Sequence, residues 1–100
     1  MTNISKITQD ILKTLSSKWS LEIMITIKNF ELTGFNQLQN NLPRLSHKVL
    51  SERLAEMLDL NLISRTVVEE IPLRVIYKLT PKGQTLLNFV SQINQHLINN

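Results

Sequence analysis

Arg44, His47, Lys48 and Arg53 fall within ten residues of one another, and Glu52 is the only carboxylate in that stretch. Ser46 and Ser51 sit among them. Such side chains donate hydrogen bonds to phosphate oxygens and to the acceptor edges of bases, so the chemistry on offer is the holding of a polyanion. Other chemistries lack their parts. There is no cysteine, which removes disulfides, thiolate metal sites, a cysteine nucleophile and thiol redox sensing together. The two histidines, His47 and His96, are far apart and have no carboxylate cluster beside them, so neither a metal nor a cofactor is expected. No glycine-rich phosphate loop, paired carboxylates or nucleophile–base pair points to an enzyme. The formal charge of +3 leans only slightly toward a polyanionic partner, so the placement of the cations has to decide.

The elements that must position these residues follow from periodicity. The 100 residues suit one domain, and a 42% apolar fraction is that of a globular chain. No uncharged apolar run is long enough for a membrane span, and Met1 to Asp10 lacks the apolar stretch of a signal peptide, so a cytoplasmic protein is expected. Ile4, Ile7, Ile11, Leu12 and Leu15 have helical spacing and predict a helix ending near Ser16-Ser17. A second helix is expected from around Lys18. Its Leu21, Ile23, Met24, Ile25 and Ile27 are apolar nearly all round, which suits the middle of a core, and Trp19 reads as a core residue. Thr33-Gly34 separates it from a short helix marked by Phe35, Leu38 and Leu42 and stopped by Pro43.

After a turn at Arg44-Leu45, Ser46 offers a capping hydroxyl to a helix over 46–59, with Leu50, Leu54, Met57 and Leu58 on one face. From residue 62 the period drops to 2. Ile63, Arg65 and Val67 alternate with Ser64, Thr66 and Val68, and Leu73, Val75, Tyr77 and Leu79 alternate with Arg74, Ile76, Lys78 and Thr80. That pattern predicts an antiparallel hairpin over 62–80, its Leu73–Leu79 face on the helices and Arg74, Lys78 and Arg65 turned outward. Thr80-Pro81 opens a last helix over 81–99.

Residues 35–59 therefore read as a helix-turn-helix, whose second helix presents its N-terminal residues to a major groove. A solvated helix face is the plainer alternative for a lone helix pair, and an edge charge that discourages aggregation is the plainer reading of Arg74. The hairpin directly after the pair changes the balance, because that order is the layout of a winged helix. The expected fold is mainly α with a small β-hairpin: one winged helix-turn-helix domain over residues 1–100.

The chain resembles the HxlR-type branch of winged helix regulators, relatives of the MarR group, over roughly residues 17–90. The resemblance rests on Lys18-Trp19-Ser20-Leu21, on Phe35-Asn36-Gln37-Leu38, on the run from Leu45 to Leu54, and on Pro72-Leu73-Arg74-Val75-Ile76-Tyr77-Lys78-Leu79-Thr80-Pro81-Lys82-Gly83. It implies a dimeric regulator that binds double-stranded DNA, with the recognition helix in the major groove and the wing near the minor groove or phosphates. On that basis Ser46, His47, Lys48, Ser51 and Glu52 are expected to face the groove, and Arg44 and Arg53 to hold phosphates. Asn36 and Gln37 are expected to meet the backbone, with Arg74 as the wing contact. Departures from the pattern are Ser16-Ser17 and Leu60-Asn61 in place of glycine-containing helix ends, Ile76 where many relatives carry Glu, and the missing N-terminal cysteine. The redox chemistry of some relatives therefore does not carry over, and no small-molecule effector is assigned.

The last helix has a broader apolar stripe than so small a domain can cover, and the first adds another. Pairing the two across a two-fold axis would bury Ile4, Ile7, Ile11, Leu86, Phe89, Val90, Ile93 and Leu97. It would also set two recognition helices about 34 Å apart, one turn of DNA. The rival reading is a winged helix that serves as a protein–protein adaptor in a transcription complex.

Overall fold

The computed structural model describes residues 3–30 and 33–99. Met1, Thr2, Glu31, Leu32 and Asn100 thus lie outside the described part of the domain expected over 1–100, Met1 and Thr2 also outside that of the first helix expected over 1–16. The order is α1 (Lys6–Ser16), α2 (Ser20–Asn29), α3 (Phe35–Asn41), α4 (His47–Asp59), β1 (Ile63–Glu70), β2 (Leu73–Leu79) and α5 (Pro81–Asn99). Ser5 starts α1 by accepting the Thr8 N–H on its hydroxyl at 3.1 Å.

The second helix begins at Ser20, two residues later than its apolar pattern predicts. Trp19 is the cause: its φ of 79° is left-handed, which no helical residue adopts, and the chain turns there before α2. Its ring still packs against the core, as expected, with the Lys18 ammonium 5.4 Å from the ring centroid. From Ser20 onward α2 runs through the middle of the molecule. Its Ile23, Met24 and Ile27 are buried with Leu38 of α3, Leu50, Leu54 and Met57 of α4, and Leu62, Ile63, Tyr77 and Leu87.

The two strands pair antiparallel, Ile63 opposite Leu79, Arg65 opposite Tyr77 and Val67 opposite Val75. Thr33 bridges the other edge of β2, accepting the Tyr77 N–H on its carbonyl at 2.7 Å. Only the base of the hairpin is packed. Tyr77 is buried and Val75 and Leu79 are partly so, but Leu73 is 64% exposed, because the ribbon outruns the helices beneath it. The expected apolar face therefore holds for three of its four residues. Arg65 also departs from expectation. Cross-strand partners share a face, so it lies on the Tyr77 side of the ribbon and not on that of Lys78, which pairs with Ser64.

Two joints fix the hairpin to its neighbours. Asn61, at φ 58°, takes the left-handed position that closes α4; its N–H reaches the Leu58 carbonyl and that of Leu62 reaches Met57. Asparagine thus does what glycine does in such a helix end. At the other joint the Thr80 hydroxyl donates to the Asn61 carbonyl at 2.7 Å and accepts the Gly83 N–H at 3.0 Å. Gly83 lies so close to the Leu62 backbone that a Cβ would stand 2.0 Å from its carbonyl oxygen. Beyond Leu87 no residue of α5 is buried, and the molecule, this helix included, measures 53 × 30 × 23 Å.

Candidate nucleic-acid interface

The turn between α3 and α4 is held from within. Leu45 is buried and its N–H bonds the Leu42 carbonyl at 3.0 Å, while the Gln39 side-chain amide donates to the Leu45 carbonyl. Ser46 then caps α4, its hydroxyl accepting the Val49 N–H at 3.1 Å. A capped helix start carries a partial positive charge and unused N–H groups, and no acidic residue lies in the first turn of α4 to cancel it. His47 is fixed as well, its ring 4.6 Å from that of Phe35 at the head of α3.

At about 100° per residue, the polar and small side chains of α4 outside the core divide into flanks. His47, Ser51 and Ala55 turn toward the hairpin, Lys48 and Glu52 point away from the core, and Arg53 and Glu56 lie toward α1. Of the residues the sequence nominated, Asn36, Arg44, Ser46, His47, Lys48, Ser51 and Glu52 are exposed and Gln37 is half-buried, all at the α3–α4 end.

The cations sort by their partners. Arg44 and Lys48 form no ion pair among the described residues. Arg53 is only 19% exposed and its guanidinium is shared between Glu56 at 3.0 Å and Glu52 at 3.5 Å, with its Nε buried and unpaired. Arg74 is exposed, but Glu69 on the facing strand holds it at 2.9 Å. One expected phosphate ligand, Arg53, and the expected wing contact, Arg74, are thus already occupied by carboxylates.

Between α3, α4 and the hairpin lies an open cleft of about 750 Å³, bordered by Asn36, Gln37, His47, Ser51, Arg65, Arg74 and Tyr77 among others. None of the residues lining it is acidic. Arg65, which the sequence turned outward with Arg74 and Lys78 but which was given no contact there, belongs to this surface. Its signal was the hairpin register, which alternation alone does not fix.

Outside this cleft the apolar stripes of α1 and α5 are open. Phe89 and Ile93 are each 58% exposed, and Ile4, Ile7, Leu97 and Ile98 are exposed as well. Ile11 and Leu86, expected in the same interface, pack partly against this chain's own core, and Val90 is half-buried. Among the described residues no group of three or more His, Cys, Asp or Glu could hold a metal ion, and no helix is long and apolar enough to cross a membrane.

Five helices and one antiparallel hairpin among the described residues, with a tight turn leading into a capped, cation-bearing helix, define a winged helix-turn-helix protein of the DNA-binding, MarR-like kind. The particular branch follows from comparison: the model of the HxlR-like helix-turn-helix family matches residues 14–100, and the chain belongs to that family. It is a transcriptional regulator of the helix-turn-helix type. The chain is 36% identical over 81 residues to the uncharacterized HTH-type transcriptional regulator YvaP of Bacillus subtilis (strain 168), covering 81% of this chain and 74% of that protein. A MarR-family transcriptional regulator of Enterococcus faecalis V583 superposes with a TM-score of 0.84 at 29% identity, over 99% of this chain and 90% of the other. The reduced form of the regulator YodB from B. subtilis gives 0.81 at 26% identity, over 93% and 90%.

Proposed function

We propose that the protein binds double-stranded DNA as a homodimer, with α4 in the major groove and the hairpin beside it. The observation that carries this reading is the start of α4: Arg44, Ser46, His47, Lys48 and Ser51 are all exposed on a rigid, capped helix end, with no carboxylate until Glu52. Lys48 and Ser51 face base edges, and Glu52 accepts from a cytosine amino group. Arg44 and the helix N-terminus hold phosphates, and Asn36 and Gln37 brace the strand that α3 crosses. Arg53 and Arg74 reach phosphate only by leaving their carboxylates.

The dimer is supported by the open stripe from Phe89 to Ile98, too apolar to face water as a continuous patch. A second copy of the same stripe is its self-complementary cover. Ile93→Lys should therefore yield a monomer by sedimentation, with DNA affinity lost more steeply than folding stability.

The test of the DNA reading is fluorescence anisotropy with a duplex from beside the protein's own gene, titrated with salt. Affinity should fall steeply as salt rises, and Lys48→Ala should weaken binding by about 1–3 kcal/mol. Binding that ignores salt, with Lys48→Ala equal to the wild type, would favour the protein–protein adaptor instead.

A further inference from the structure

We propose that the wing meets the DNA backbone through Arg65 on its inner face, and that Glu69 withholds Arg74 from phosphate. This rests on the DNA-binding reading above and assigns a residue within it.

Arg65 stands opposite Tyr77, and Tyr77 is buried against the helices, so Arg65 lies on the face of the ribbon that turns inward. There it borders the same cleft as His47 and Ser51 of the recognition helix, and no acidic residue lines that cleft. Its side chain is exposed and makes no ion pair among the described residues. A phosphate arriving in the cleft meets a cation that has nothing to give up.

Arg74 borders the same cleft but differs in its partners. Glu69 already occupies it at 2.9 Å, and Glu70 follows at the end of the strand. An exposed ion pair is weak, so Arg74 can exchange partners. What the exchange cannot remove is the charge: both carboxylates stay beside the incoming phosphate and repel it. The rest of the tip, Ile71, Pro72 and Leu73, is apolar, with Ile71 94% and Leu73 64% exposed, and offers no side-chain donor in compensation.

The experiment is a salt titration of binding to a mixed-sequence duplex, since phosphate contacts do not depend on sequence. It uses the full chain and the variants Arg65→Ala, Arg65→Lys, Arg74→Ala and Glu69→Gln, each checked by thermal unfolding. Arg65→Ala should lower the slope of log K against log salt by about 1 and cost about tenfold in affinity at low salt, while Arg65→Lys keeps the slope. Arg74→Ala should change affinity by less than about twofold, and Glu69→Gln should steepen the slope by releasing Arg74. A wild-type slope in folded Arg65→Ala, or a reduced slope in Arg74→Ala, overturns the assignment while leaving the DNA reading intact. A wild type that shows no salt-dependent binding to any duplex removes the DNA reading itself.

Discussion

The start of α4 and the tip of the hairpin both project from one core and both carry arginine or lysine, yet they are built to opposite ends. At the start of α4 His47 and Lys48 stand on a first turn fixed by a capping serine, a buried leucine and an aromatic contact, and that turn holds no carboxylate. At the hairpin tip Glu69 neutralises Arg74, and the residues around them pack on nothing. A net charge spread over a chain does not make a binding surface. Cations left without partners on rigid backbone do, and the rigidity has to come from elsewhere in the fold.

The largest test of that contrast strikes the joint both regions share. A Cβ at Gly83 would lie 2.0 Å from the Leu62 oxygen and 3.1 Å from the Leu62 carbonyl carbon, and backbone has no rotamer by which to escape. Gly83→Ala should cost about 3 kcal/mol or more in urea unfolding, since the first turn of α5 has to lift off the segment linking α4 to β1. If the variant folds at wild-type stability, that joint is not what holds the hairpin in place.

Next in size is the loss of a cation that has no partner. Arg44→Ala removes an exposed guanidinium from the turn before α4 and breaks no ion pair. It should lower the salt slope of duplex binding by about 1, while stability stays within about 0.5 kcal/mol. Ser46→Ala acts differently. It deletes the cap on the Val49 N–H and should cost about 1 kcal/mol of stability. Part of the effect should pass to DNA binding, because the same turn carries His47 and Lys48. Thermal melts and anisotropy on one preparation separate the two contributions.

Much of this was legible in the sequence, and the exceptions have identifiable causes. The switch of period at residue 62 marked the hairpin, and Ser46 ahead of Leu50, Leu54 and Met57 marked α4 and its cap. The Arg53–Glu56 pair had a signal too, three residues apart on one helix, but Arg53 was expected on phosphate instead. The face of Arg65 was not. Both sets of alternating residues in β1 are mixed, and the register shift between Val67 and Glu69 appears only when the strands are paired. Once the register is known, Glu69 falls opposite Arg74 and the wing contact expected from sequence is occupied. Trp19 was hidden for another reason: a bulky residue at positive φ contradicts local preference, and it is tolerated because its ring packs against the core.

The smallest expected effect belongs to the most exposed apolar residue. Ile71 is 94% accessible at the turn of the hairpin, so replacing it removes almost no contact within the chain. Ile71→Ser should leave folding stability within about 0.5 kcal/mol and duplex affinity within about twofold. A large buried isoleucine loses about 2–5 kcal/mol on truncation, so the two outcomes are easily told apart by urea unfolding. A loss of 1 kcal/mol or more would mean that the tip is covered, and the contrast with α4 would then rest on a surface that is not free. A loss of affinity without a loss of stability would say instead that the tip touches the duplex through its apolar side chains, and that part of the wing contact does not depend on salt. With neither loss, the proposed difference stands: the start of α4 binds through Arg44 and Lys48, which have no carboxylate partner among the described residues, and the hairpin tip stays idle because Arg74 is held by Glu69.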